Sequence, residues 1–281
     1  MRQRWKQVGL GFLTLLAIGF AIAGAQPLLR KSVSPELGPA LIAVIVLVVY
    51  VASSYAIERR IPTELAPRHA LSEVAIGIAI GFVLFSATMA ILWAIGVYHP
   101  SGWGSTRGMA AAFALAIMAG IAEEIIFRGL MYRLSARIVG TWGAIVFTSA
   151  LFGLAHLANK GATIFSGVAI MLEAGILLSA AYAFTGRLWL PIGLHIGWNF
   201  TEGSVYGMQI SGNTIGDSLL RGSLSGPPLL TGGAFGPEAS LVAVAVCLAM
   251  AIFLLYRTIR LGRIEPPAWK HAATLPIAVS V

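Results

Sequence analysis

Charge is what this chain has little of. Asp, Glu, Lys and Arg make up 11% of its 281 residues, where a soluble domain carries about 25%. That scarcity, together with 58% hydrophobic residues arranged in long blocks, excludes an ordinary soluble domain and reads as an integral membrane protein. Cysteine is almost missing as well. Cys247 stands alone in an apolar run, which excludes a disulfide framework and a cysteine-based metal site. It is expected as a small buried or lipid-facing residue. The apolar runs lack the alternation of strands, and an open sheet in lipid would leave backbone groups unsatisfied. The sequence shows no internal repeat, phosphate loop or low-complexity tract. The net charge of +8 does not point to nucleic acid, because the basic residues sit in short clusters between apolar runs, where orientation signals belong.

What is there is a series of apolar segments of about the 20 residues that cross a bilayer. They fall at roughly 8–25, 37–57, 74–98, 108–126, 140–159, 162–184, 188–206 and 239–257. The expected fold is all-α: a polytopic membrane protein of about eight transmembrane helices, forming a single membrane domain over 1–281. With the N-terminus in the cytoplasm, 14 of the 19 Lys and Arg residues fall inside. Only Arg30, Lys31, Arg107, Lys160 and Arg221 fall outside, so both termini are expected in the cytoplasm. A rival reading concerns the first segment: "MRQRWK", an apolar run and "AGA" before Gln26 have the form of a signal peptide. Cleavage would leave seven spans without reorienting the others. The loop 207–238, on the outer side, holds eight glycines in 32 residues and is expected to be mobile or re-entrant.

Against this background the stretch "AGIAEEIIFRGL", 119–130, stands out. A charged side chain at mid-membrane costs about 2.5–3.5 kcal/mol on insertion scales. Glu123 and Glu124 are adjacent, so on a helix they point about 100° apart and cannot share one partner. Glu124 and Arg128 are four residues apart in the favourable acidic-first order, which predicts an ion pair. Glu123 is then the carboxylate left over, available to take and give a proton. The bland alternative puts both acids at the cytoplasmic interface, solvated and structural.

His156 closes "LFGLAHL", one turn after Phe152; alone it would be a packing histidine. His195 and Asn199 in "GLHIGWNF" project from one helix face, and alone they could be interhelical glue. Pro191 suits that helix's first turn. Together, a carboxylate, two imidazoles and an amide on three apolar spans could activate water and stabilise an oxyanion. They could also bind zinc. However, the His-Glu-x-x-His pattern of helix-borne zinc peptidases is missing, and a metal site would need ligands from three helices. Glu173 in "IMLEAGILL" is expected to hydrogen-bond within the bundle or to tune the site from behind. His69, His99 and His271 are assigned nothing.

"EEIIFR", "FGLAH" and "HIGWN", in this order on successive apolar spans, resemble the CPBP family of intramembrane proteases. That family includes the type II CAAX prenyl endopeptidases and the bacterial Abi-type proteins. The likeness covers a catalytic motif core at about 110–202, and "TGRLWLPIGLHIGWNF" is close to the bacterial form, which implies a bacterial plasma membrane. The resemblance implies eight helices around an intramembrane chamber open to the cytoplasm. It implies peptide-bond hydrolysis by a water that Glu123 and His156 activate, with His195 and Asn199 on the oxyanion and Glu124 and Arg128 ordering the site. It leaves zinc open, and the missing zinc-peptidase pattern favours a mechanism without cofactor. The partners implied are the lipid bilayer and a peptide or protein substrate, prenylated or not. Two other classes compete with this reading. One is a non-catalytic scaffold of the same fold. The other is a proton-coupled transporter, against which stands the lack of paired halves with broken helices.

Overall fold

The structure, a computed structural model, describes residues 2–214 and 216–272. Residue 1, Ile215 and residues 273–281, which the expected domain also spans, lie outside the described residues. Helix accounts for 74% of the described residues, and six helical runs among them are long and apolar enough to cross a bilayer. The protein is a polytopic helical membrane protein.

Three uninterrupted helices come first: α1 (Arg2–Ser32), α2 (Leu37–Ala56) and α3 (Ala70–Ala94). A short strand, β1 (Tyr98–Trp103), precedes α4 (Met109–Glu124). α4 runs on through a π-helical segment, Ile125–Tyr132, into α5 (Arg133–His156). A break is expected between 126 and 140, and the structure instead keeps these residues helical. Nothing there interrupts a helix, and Ile125, Phe127, Leu130, Tyr132, Leu134 and Ala136 are buried. The bend comes at Gly140, with φ 73° and ψ 177°. A Cβ there would lie 2.7 Å from the Glu265 carbonyl, to which the neighbouring Thr141 N–H donates at 3.0 Å. Only glycine meets both the backbone angle and the close approach.

The next run is α6 (Ile164–Ile170), a π turn at Met171–Gly175, and α7 (Ile176–Thr185). Thr163 and Ser166 cap its start reciprocally. α8 (Trp189–Phe200) also ends in a π turn, Thr201–Val205, and is too short to count among the six long runs. The segment expected to be mobile or re-entrant contains β2 (Leu220–Leu224) and α9 (Pro228–Thr231). β2 pairs antiparallel with β1, so the all-α expectation misses a small sheet. α10 (Leu241–Arg260), capped by Ser240, and α11 (Ala268–Ala272) complete the chain.

Contacts define two ends of the bundle. At one end, Leu188 N donates to Glu64 O at 2.9 Å, Arg133 meets Glu58 at 2.6 Å, and Thr141 meets Glu265. This end carries the basic clusters. At the other, β1 pairs with β2, Gly212 N donates to Phe235 O at 2.7 Å, and Ser211 N donates to Glu238 at 2.7 Å.

α3 and α8 meet along a seam of glycines. A Cβ at Gly81 would sit 2.4 Å from Leu194 O, and one at Gly197 would sit 2.3 Å from Ile78 O; Gly77 and Gly193 make the same contact one turn away. Small residues four apart on both helices let the backbones touch. Because Gly193 and Gly197 face α3, His195 and Asn199, two positions on and about 200° round the helix, face away from it.

Candidate active site

The side of α8 turned away from α3 faces a cavity of about 450 Å³. Glu123 of α4, His156 of α5 and His195 and Asn199 of α8 all line it, as does Glu173. Three π segments border the site and hold its buried charges: Arg128 in the first, Glu173 in the second and Glu202 in the third. A π turn carries an extra residue, which re-aims side chains and is frequent at functional sites.

Arg128 and Glu124 are completely buried, with Nη1 2.8 Å from Oε1. The expected ion pair is there. Arg128 also donates through Nη2 to the carbonyls of Ala174 (3.3 Å) and Gly175 (3.1 Å), and its guanidinium lies 4.7 Å from the centre of the Phe152 ring. Those carbonyls belong to the π turn of the α6–α7 run, so one arginine joins two helical runs. Glu124 has a second partner that the pair alone does not suggest: His195 Nδ1, 2.9 Å from the same Oε1.

The two histidines are held in different ways. His156 Nδ1 lies 2.8 Å from the Phe152 carbonyl. A carbonyl only accepts, so Nδ1 carries a proton, and in the neutral ring Nε2 is the nitrogen with a lone pair. The ring is steadied by Phe152, 4.5 Å away centre to centre, which packs edge-on against Phe127. His195 donates Nδ1–H to Glu124, and its Nε2 lies 4.0 Å from Glu123 Oε2. Glu123 is about one-third exposed, while its Oε2 is buried without a hydrogen-bond partner. Asn199 is half-buried on the cavity wall.

Glu173 is buried and accepts a hydrogen bond from Cys247 Sγ at 3.4 Å, so the lone cysteine is a buried one. Three further groups escaped the sequence reading. Glu238 and Ser211, from the segment 207–238, line the cavity, with Ser211 donating N–H (2.7 Å) and Oγ–H (2.8 Å) to Glu238 Oε1. Burial pushes the Glu238 carboxyl above the ordinary carboxylate range, against the pull of the Ser211 donors. Glu202, fully buried, has Glu238 as its neighbour. Glu202 carried a signal, an acid three residues beyond Asn199 in an apolar segment. Glu238 carried none, since it sits in a loop.

Among the described residues no group of three or more His, Cys, Asp or Glu is arranged to hold a metal ion.

Residues 105–201 match the family model described as Type II CAAX prenyl endopeptidase Rce1-like. This stretch contains all the motif residues and bears out the resemblance to CPBP-type proteases. The matched family is a family of proteases. No curated protein and no solved structure matches the chain.

Proposed function

We propose that this protein is an intramembrane endopeptidase hydrolysing peptide bonds of membrane-associated substrates. Its catalytic core is 110–202, within a bundle of eight crossings if the two limbs of Met109–His156 and the α8 run are each counted. One observation carries the reading: Glu123, whose Oε2 has no hydrogen-bond partner, shares a cavity with a histidine anchored through Nδ1 and with a second histidine and an amide.

In this mechanism a water lies between Glu123 and His156 Nε2. Its oxygen attacks the scissile carbonyl carbon while its proton passes to Glu123, helped by His156. The carbonyl oxygen becomes an oxyanion, which accepts from His195 Nε2–H and the Asn199 amide. For that donation His195 is doubly protonated, giving Nδ1–H to Glu124 and balancing its charge there. The proton then moves from Glu123 to the departing nitrogen, the C–N bond breaks, and the products leave as a carboxylate and an ammonium once the new carboxyl group passes its proton to the amine. Glu124 and Arg128 position His195 and the α6–α7 run.

The test compares wild type with Glu123→Gln, both purified in detergent, on quenched-fluorescent peptides with and without a prenyl group. Loss of a general base predicts cleavage slowed by about 10²–10⁴-fold. Equal rates would overturn the assignment of Glu123, and no cleavage by either protein would shift weight to the scaffold reading. The reaction is proposed to need no metal, so activity should survive dialysis against a chelator once metal removal is verified; its loss and recovery with zinc would reverse that point.

A further inference from the structure

Resting on the endopeptidase reading, we propose that Tyr50 is a positioning residue for the hydrolysis. With Arg60 and Glu64 it forms a clamp that fixes the register of the helix carrying Glu123 against the helix carrying His195. None of these three clamp residues lines the cavity, so the clamp acts through other residues and not on substrate.

The phenol is completely buried. Its oxygen accepts from Arg60 Nη2 at 2.9 Å and lies within hydrogen-bond reach of two acceptors, the Glu64 carboxylate and the Gly129 carbonyl, the second at 3.0 Å. Arg60 in turn grips both Glu64 oxygens, with Nη2 2.7 Å from Oε1 and Nη1 3.0 Å from Oε2. A buried carboxylate held by a two-pronged guanidinium is a fixed point, and Tyr50 carries that point to the backbone of the first π segment. A Cβ at Gly129 would lie 3.0 Å from the Tyr50 oxygen, so glycine leaves the phenol room to reach the main chain.

The clamp closes on the second helix through the main chain. Glu64 O accepts from Leu188 N at 2.9 Å, immediately before α8, and Ala66 O accepts from Trp189 Nε1 at 2.9 Å. One short stretch, 60–66, therefore holds both limbs of the site. Gly129 lies six residues beyond Glu123 and one beyond Arg128, and Leu188 lies seven before His195. Each anchor is about 10 Å of helix from the side chain that it sets.

That register matters because the reacting groups come from both limbs. Glu123 Oε2 and His195 Nε2 stand 4.0 Å apart, and the Glu124–His195 hydrogen bond joins α4 to α8 beside them. Arg128, next to Gly129, fixes Glu124 and the π turn at Met171–Gly175. A shift of the Gly129 backbone moves Arg128, and through it Glu124 and His195. Misplacing a catalytic group by about 1 Å can cost about 10²-fold in rate.

Tyr50→Phe removes the hydroxyl and keeps the ring. Wild type, Tyr50→Phe and Thr141→Val are purified in detergent, their thermal unfolding is recorded, and kcat and KM are measured on one cleaved peptide well below the lowest Tm. Glu265 N–H donates to the Thr141 hydroxyl at 2.9 Å, at the same end of the bundle but outside the clamp, so Thr141→Val reports loss of stability alone. The expected result is a kcat about 10–100-fold lower in Tyr50→Phe, with KM within about twofold of wild type, and an unchanged kcat in Thr141→Val. An unchanged kcat in Tyr50→Phe, a change confined to KM, or an equal fall of kcat in both variants overturns the inference while the endopeptidase reading stands. Should Tyr50→Phe not fold, Glu64→Gln takes its place with the same expectation, since it gives up the two-pronged pair and keeps the carbonyl that holds Leu188. If wild type cleaves nothing, the endopeptidase reading falls, and the register is read by cross-linking instead. A Cβ at Gly120 of α4 would lie 2.8 Å from Ile196 Cγ1 of α8. Gly120→Cys with Ile196→Cys, in a Cys247→Ser background free of the native cysteine, should form a disulfide under mild oxidation, and form it more slowly once Tyr50→Phe is added. Equal rates with and without Tyr50→Phe overturn the inference.

Discussion

Glu123 and Glu124 are chemically identical and adjacent, yet their surroundings separate them. Glu124 is wholly buried and spends one oxygen on both Arg128 and His195. Glu123 looks into the cavity with an oxygen that nothing holds. The two should therefore fail differently. His156→Ala should abolish cleavage and leave folding intact, because His156 is half-buried and bonded only to its own helix. Glu124→Ala should lower thermal stability by about 3–5 kcal/mol, since it strands Arg128 in the interior. Unfolding in detergent, followed beside peptide cleavage, separates the two effects. Equal loss of fold in both variants would sink this division of roles.

At the scale of the element, the α3–α8 seam sets where His195 and Asn199 point. Gly81 and Gly197 let the two backbones approach until a Cβ would meet a carbonyl at 2.4 Å or 2.3 Å. Gly81→Leu must push α8 away from α3 and carry His195 and Asn199 with it. The expected outcome is a protein that still inserts in the membrane but cleaves poorly, with kcat falling more than KM rises. A variant as active as wild type would mean that the seam does not position the site. The three π turns matter at this scale too, since Arg128, Glu173 and Glu202 all sit within them.

For the molecule as a whole, one node centred on Glu58, just beyond the end of α2, ties distant parts of the chain. Glu58 accepts from Arg60 at 2.8 Å, from Arg133 at 2.6 Å and from Thr14 of α1 at 3.2 Å. Burial pushes its carboxyl up, but the two guanidiniums outweigh this and hold it below the ordinary value of 4.5. A carboxyl whose folded pKa is depressed stabilises the fold above its unfolded pKa and loses that contribution as pH falls through the folded one. Thermal stability in detergent should thus decline as the pH drops from about 4.5 downward. The decline should be shallower in Glu58→Gln, which is less stable than wild type at neutral pH. Parallel pH profiles for the two proteins would count against the node.

The membrane class, the position of most helices, the Glu124–Arg128 pair and the candidate residues were all legible in the sequence. Each rests on local information: apolar length for a span, and spacing of four for a shared face. The continuity of α4 into α5 was not, because the charged residues that suggest a loop at 127–139 find partners in other segments: Arg128 in Glu124 and the Ala174 and Gly175 carbonyls, Arg133 in Glu58. Nor was the second bond of Glu124, which reaches 71 residues along the chain to His195. Glu238 joins the cavity wall only because the segment 207–238 folds back over the bundle. Sequence spacing determines what lies on one face of one helix. Which faces meet, and which side chains share the cavity, depends on contacts between residues far apart in the chain, and only the tertiary structure holds those.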